Sequence, residues 1–213
     1  MRHKNSSRKG LTATVVAVLG SLWVWPAISS AQLLPPLPAP TPIVGTLLGT
    51  TAVLGSTGTL AAGTSDVLQA SDTTGGIASL LTGEALHAVT IGYPDQIDSE
   101  ASLAALALNV AGTSIGADFV MSRATAVVGN SVGASNIDGL AINGAPIAVT
   151  GAPNQTIGIP GGLVVLNEQR TLPDGTLVVN ALHAIVSGVA DVAVASAMAG
   201  LSGGSAKAVQ ASY

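Results

Sequence analysis

Between residues 106 and 121 the apolar side chains fall on alternate positions. Leu106, Leu108 and Val110 lead to a break at Gly112-Thr113-Ser114, after which Ile115, Ala117, Phe119 and Met121 resume the alternation. A period of two lines up side chains on one face of an extended chain, so this stretch predicts two strands and a turn. Downstream, turn signals recur roughly every 10 to 15 residues, a spacing typical of sheet proteins. Asn143-Gly144 suits a type I′ hairpin, Pro160-Gly161-Gly162 precedes Leu163-Val164-Val165-Leu166, and Leu172-Pro173-Asp174-Gly175 precedes Thr176-Leu177-Val178-Val179. The fold class that follows is mainly β, an antiparallel β-sandwich or rolled sheet with a Pro/Gly/Thr-rich N-terminal segment. Residues 163–166 and 184–186 are apolar on both sides, so both faces of those strands need a cover.

Three segments read less simply. Residues 99–111 combine an alanine content that suits a helix, with Asp98 as a candidate cap, and a period-two tail. The strand reading is preferred, because Gly112 and the alternation beyond it supply a hairpin partner. Residues 65–81 are read as holding a short helix or two. Residues 41–64 are built from Gly, Thr, Leu and Ala, and glycine costs a helix about 1 kcal/mol per site, so loop or short strands are expected there.

At the N-terminus Arg2, His3, Lys4, Arg8 and Lys9 precede an uncharged run over residues 11–25, then Pro26 and Ser29-Ser30-Ala31. A basic head, a short apolar run and small residues at −3 and −1 form a secretory signal peptide, cut after Ala31. The apolar run falls short of the ~20 residues that a spanning helix needs. Export by the general secretory route is therefore expected, with the mature chain extracellular, at the cell surface or periplasmic. Residues 32–42 hold five of the eleven prolines and predict an extended spacer. The organisation is then a signal peptide at 1–31, a Pro-rich spacer and Gly/Thr/Leu-rich segment at 32–82, a β-rich domain at 83–200, and a tail at 201–213 without a recognisable anchor.

Composition narrows the classes. Only 8% of residues are charged, against about 25% in ordinary soluble chains. Charge-driven disorder, coiled coils and nucleic-acid binding all need ionic side chains that are missing here. With no Cys there is neither a disulfide scaffold nor a thiolate metal site. After cleavage Arg123, Arg170 and Lys207 remain against eleven acidic residues, a net charge of −8 that repels nucleic acid and anionic lipid.

Candidate chemistry is sparse. The serine-nucleophile pattern GxSxG occurs at Gly112-Thr113-Ser114-Ile115-Gly116 and Gly129-Asn130-Ser131-Val132-Gly133. Ser131, Asp174 and His183 stand in the chain order of a hydrolase, but no helix pattern follows either serine, and 26 glycines make such matches cheap. Ala85-Leu86-His87-Ala88-Val89 and Ala181-Leu182-His183-Ala184-Ile185 are near copies of each other. If their strands are neighbours in register, His87 and His183 share a face and a metal such as zinc, with Asp95 or Asp191 as a third ligand. Packed imidazoles in a repeated structural phrase are the plainer alternative. Asp95, Asp98 and Glu100 are the densest acidic cluster, a weak candidate for Ca²⁺ in a loop near Gly92 and Pro94. Asn154-Gln155-Thr156 fits a glycosylation sequon.

Several phrases carry a resemblance. Leu86-His87-Ala88-Val89-Thr90 with Tyr93-Pro94-Asp95, Ala117-Asp118-Phe119-Val120-Met121-Ser122-Arg123-Ala124, and Val179-Asn180-Ala181-Leu182-His183 with Gly188-Val189-Ala190-Asp191-Val192-Ala193-Val194-Ala195-Ser196 resemble the bacterial choice-of-anchor P proteins. The likeness spans residues 84–200 and implies an exported β-rich domain whose relatives differ in how they attach to the cell. The tail Lys207-Ala208-Val209-Gln210-Ala211-Ser212-Tyr213 departs from it in carrying no sorting motif.

The expectation is a secreted or cell-surface, non-enzymatic β-domain with a structural or adhesive role, without a required cofactor. A small ligand- or metal-binding module is the alternative, and a serine hydrolase the third reading. No partner is legible beyond self-association or a cell-surface partner. The uncharged, β-prone runs at residues 164–166 and 177–179 are where an exposed edge is expected to pair between molecules.

Overall fold

Strands, and no helix, occupy the residues that the computed structural model describes, which are 54–60 and 65–202 with backbone segments at 45–47, 50–52, 205–206 and 211–212. In chain order they are β1 (Gly45–Leu47), β2 (Thr50–Ala52), β3 (Val67–Ile77), β4 (Leu81–Gly92), β5 (Gln96–Val110), β6 (Thr113–Val127), β7 (Asn130–Asp138) and β8 (Ala141–Ile142). There follow β9 (Ala145–Pro146), β10 (Gln155–Ile159), β11 (Gly162–Thr171), β12 (Leu177–Val186), β13 (Ala190–Ala199), β14 (Leu201–Ser202), β15 (Ser205–Ala206) and β16 (Ala211–Ser212). The expected signal peptide and the spacer at 32–42 lie outside the described residues.

Short turns dictate the pairing. Val110 faces Thr113 across a two-residue loop in which Ala111 and Gly112 have φ of 47° and 79°. Asn143 and Gly144, at 51° and 76°, join Ile142 to Ala145 in the same way. Positive φ at both central residues makes the type I′ turn, whose twist matches that of the flanking strands. Such hairpins build one antiparallel sheet in the order β3-β4-β5-β6-β8-β9, with β7 also on β6. The second runs β10-β11-β12-β13-β1-β2, with β16 also on β13.

The two sheets pack face to face. Leu86, Ala88, Leu103 and Val120 of the first share a core with Leu166, Leu182, Ala184 and Val194 of the second. Ile97, Ala124 and Ala126 meet Leu177, Val179 and Ala197 in an adjoining cluster. Burying each such Leu, Ile or Val is worth about 1.5–3 kcal/mol, so alternation of small aliphatic residues suffices to drive the packing.

A kink crosses each sheet. Ala85 and Ala105 have φ of +48°, and the β4–β5 register shifts between Glu84 and His87. On either side of the kink the buried face changes parity: Ile97, Ser99, Ala101 and Leu103 point inward, then Leu106, Leu108 and Val110. In the second sheet Asn167 and Ala195 take φ of +50° and +51° beside Ala181. A left-handed backbone costs a non-glycine residue roughly 1–2 kcal/mol. Here the cost is offset by keeping apolar residues inward on both halves of long strands.

Two expectations are corrected, and the strand reading of residues 99–111 is met. Residues 65–81 hold β3 rather than a helix, because β3 pairs with β4 from Val67 opposite Ile91 to Ile77 opposite Leu81. Its Gly75 and Gly76 lie so close to Leu86 and the Leu81 carbonyl that a Cβ would collide. Asp98 caps no helix, since residues 99–110 belong to β5, as the strand reading required. Residues 164–166 and 177–179 lie on β11 and β12, which are paired on both sides, so neither run is an exposed edge.

Candidate functional site

The polar residues of β12 and β13 are islands in apolar strands. Asn180 and His183 interrupt Leu-Val-Val-Asn-Ala-Leu-His-Ala-Ile-Val, and Asp191 and Ser196 interrupt β13. Their partners are set by the turn before β12. Leu172 N–H bonds to the Thr176 carbonyl, Gly175 N–H to the Leu172 carbonyl, and Thr176 N–H to Asp174 Oδ1 at 3.0 Å. That turn places Glu168 of β11 opposite Asn180, and the next loop places Asn180 opposite Ser196. Because the kink at Ala181 reverses the alternation, Asn180 and His183 share one face of β12 although they are three residues apart, and both reach Glu168 Oε2.

A chain of hydrogen bonds crosses the three strands. Ser196 Oγ donates to Asn180 Oδ1 at 2.6 Å, and Asn180 Nδ2 donates to Glu168 Oε2 at 2.6 Å. His183 Nδ1 lies 2.8 Å from the same oxygen, and its Nε2 lies 2.6 Å from Asp191 Oδ1. Ionised carboxylates only accept, so with both bonds made each ring nitrogen donates, which is the bonding pattern of an imidazolium. Burial opposes that charge, but the bonds to Glu168 and Asp191 outweigh it and raise the His183 pKa above the ordinary 6.5. Glu168 is held below 4.5, chiefly by the bond from His183 against the opposing effect of burial, with Asn180 and the Arg170 charge assisting.

An imidazolium bonded at both nitrogens has no lone pair for a metal or for a proton. While both bonds hold, His183 is neither a base nor a ligand; it fastens β11, β12 and β13 together. A hollow of about 280 Å³ beside it, lined by residues 185–191, has Asp191 as its one charged group, already bonded to His183.

The other candidates are dispersed. His87 is on β4 of the opposite sheet, with Gln69 Nε2 3.3 Å from its Nε2. The two near-identical phrases occupy corresponding kinked sites in different sheets, so the condition of neighbouring strands fails and His87 and His183 share no ligand. Asp95 is exposed in the β4–β5 turn, whereas Asp98 and Glu100 belong to β5 and not to a loop. Asp98 accepts from Thr125 Oγ1 at 2.6 Å and Gln96 Nε2 at 2.7 Å, and Glu100 stands opposite Arg123. Among the described residues no group of three or more His, Asp or Glu is arranged to hold a metal ion.

Ser114 and Ser131 lie on β6 and β7, not on strand-to-helix elbows. Asp174, the acid of the formal triad, bonds its own turn, while His183 is bonded to Glu168 and Asp191. Asn154 of the sequon has φ of 60° and accepts from Gln169 N–H at 2.9 Å, so its amide carries a structural bond. Asn180 and Ser196 were not singled out by the sequence; the signal was polar residues isolated within apolar strands.

Set against known proteins, the chain matches no family model, no curated protein and no solved structure. What the geometry defines is an antiparallel two-sheet domain with an ionic fastening on one outer face.

Proposed function

We propose that this chain is an exported β-domain that works through its fold and its surface, in a structural or adhesive role outside the cytoplasm. The observation that carries the reading is the bonding of His183: its titratable cluster is satisfied internally and leaves no reactive nitrogen. The charge pattern of residues 1–31 supports export. The phrases that resemble choice-of-anchor P proteins fall on β4, β6, β12 and β13, with Tyr93-Pro94-Asp95 in the β4–β5 turn and Gly188-Val189 in the β12–β13 turn, and membership of that family is part of the proposal.

The test is thermal melting with and without Ca²⁺ or Zn²⁺, together with ester turnover by the wild type and Ser131→Ala. An unchanged Tm and no turnover are expected. A metal-induced rise in Tm would make the chain a binding module, and turnover lost in Ser131→Ala would make it a hydrolase.

A further inference from the structure

Two apolar side chains of the second sheet are buried outside both cores. Val178 of β12 and Met198 of β13 are 6% and 2% exposed, yet neither belongs to the clusters that hold the sheets together. The residues that alternate with them, Leu177, Val179, Ala197 and Ala199, take the positions toward Ile97 and Ala124 of the first sheet. Val178 and Met198 stand opposite each other, so they form one patch on the other side of β12 and β13. An antiparallel sheet with one face on a core commonly leaves its second face to water, so a patch shielded there has a cover. Asn180 and Ser196, buried on the same side, satisfy one another and Glu168. The cover therefore meets aliphatic surface and has no hydrogen bond to supply.

We propose that residues 32–44 of this chain dock on the patch formed by Val178 and Met198. β1 runs antiparallel to β13, with Leu47 opposite Ala190 and Thr46 opposite Asp191, so the chain before Gly45 heads along β13 toward Met198. Ala211 and Ser212 take the edge beside Ala197 and Ser196, which stops that chain from continuing as an edge strand. The side toward the first sheet is filled by Ala197 and Ala199, and the opposite side is left as its path. The reach suffices: Asp191 to Met198 is about 23 Å of strand, and thirteen residues in polyproline II extend about 40 Å. The chemistry matches as well. Residues 32–44 carry no charge, include Leu33, Leu34, Leu37, Ile43 and Val44, and hold five prolines, whose missing N–H groups suit a surface of side chains that offers no ladder. Docking ties the segment to the sheet, where a free spacer would trail from it. The proposal goes beyond the structural or adhesive role and holds whether or not residues 1–31 are removed, so its failure leaves export standing.

The chain has no Cys, so paired cysteines test the contact directly. Met198→Cys is combined in turn with Leu34→Cys, Leu37→Cys, Ala39→Cys and Thr41→Cys in the purified chain, and mild oxidation at low concentration is followed by intact mass and non-reducing electrophoresis. A disulfide needs Cα atoms within about 7 Å, so an intramolecular bond is expected in at least one pair, with at most about a tenth of that yield when Val132→Cys on β7 replaces Met198→Cys. Val178→Cys takes the place of Met198→Cys if the latter melts early. No bond from any of the four positions would give the cover to another segment, and a bond joining two molecules would give it to a second copy. Either result, or an equal yield with Val132→Cys, would overturn the proposal.

Discussion

Replacing His183 by Ala removes a charge that two carboxylates share, and the structure sets the size of the effect. Glu168, with its side chain 21% exposed, loses a charge-assisted bond worth about 1.5–3 kcal/mol. Asp191 is 61% exposed, and solvent reduces its bond to roughly 0.2–1 kcal/mol. A total loss of about 2–4 kcal/mol follows, or roughly 4–16 °C in Tm for a domain of this size. To separate the pair from the packing of the ring, His183→Ala and Glu168→Gln are combined in a double-mutant cycle by urea denaturation, with an expected coupling of about 1.5–2 kcal/mol. The pH dependence is fixed in sign. The raised His183 pKa contributes stability that is complete below 6.5 and lost as pH rises through the folded-state value. The lowered Glu168 pKa contributes stability that is complete above 4.5 and lost as pH falls through its folded-state value. Coupling is therefore full between pH 4.5 and 6.5 and declines on either side. A coupling under about 0.5 kcal/mol inside that window, or one that grows with alkalinity, would refute the assignment of an imidazolium.

Other substitutions probe the sandwich by the same denaturation assay. Leu182→Ala, at a site fully shielded from solvent, loses about 2–5 kcal/mol, whereas Val132→Ala, at a site 59% exposed, stays within about 0.5 kcal/mol. Gly162→Ala drives a Cβ into the Ile185 carbonyl and costs several times more than Gly112→Ala, which meets open space and carries only the ~1–2 kcal/mol of a left-handed residue. Ser122 Oγ is buried without a hydrogen-bond partner, so Ser122→Ala is neutral or stabilising by up to about 1 kcal/mol.

Legibility in the sequence tracked the range of the interaction. Asn143-Gly144 and Leu172-Pro173-Asp174-Gly175 announced their turns because the residue types themselves favour the backbone angles required. The strands at 106–110 and 115–117 were readable from alternation, since one face of each is buried. The kinks were not. Alanine carries no signature of a left-handed backbone, so nothing marked Ala85, Ala105 or Ala195, and the alternation could not be carried across them. That gap hid the site as well. Asp191 was visible as an acid near His183, but its meeting with the ring, and that of Glu168, depends on β11–β12 and β12–β13 register and on the parity change at Ala181. The near copies at His87 and His183 marked a repeated kink, which sequence similarity alone could not distinguish from a shared ligand site.

Fractionating an expressing culture and measuring the intact mass of the chain in each fraction tests the proposed location outside the cytoplasm. Cleavage after Ala31 predicts a species beginning at Gln32 in the medium, periplasm or surface fraction. A full-length chain beginning at Met1 and confined to the cytosol would contradict it.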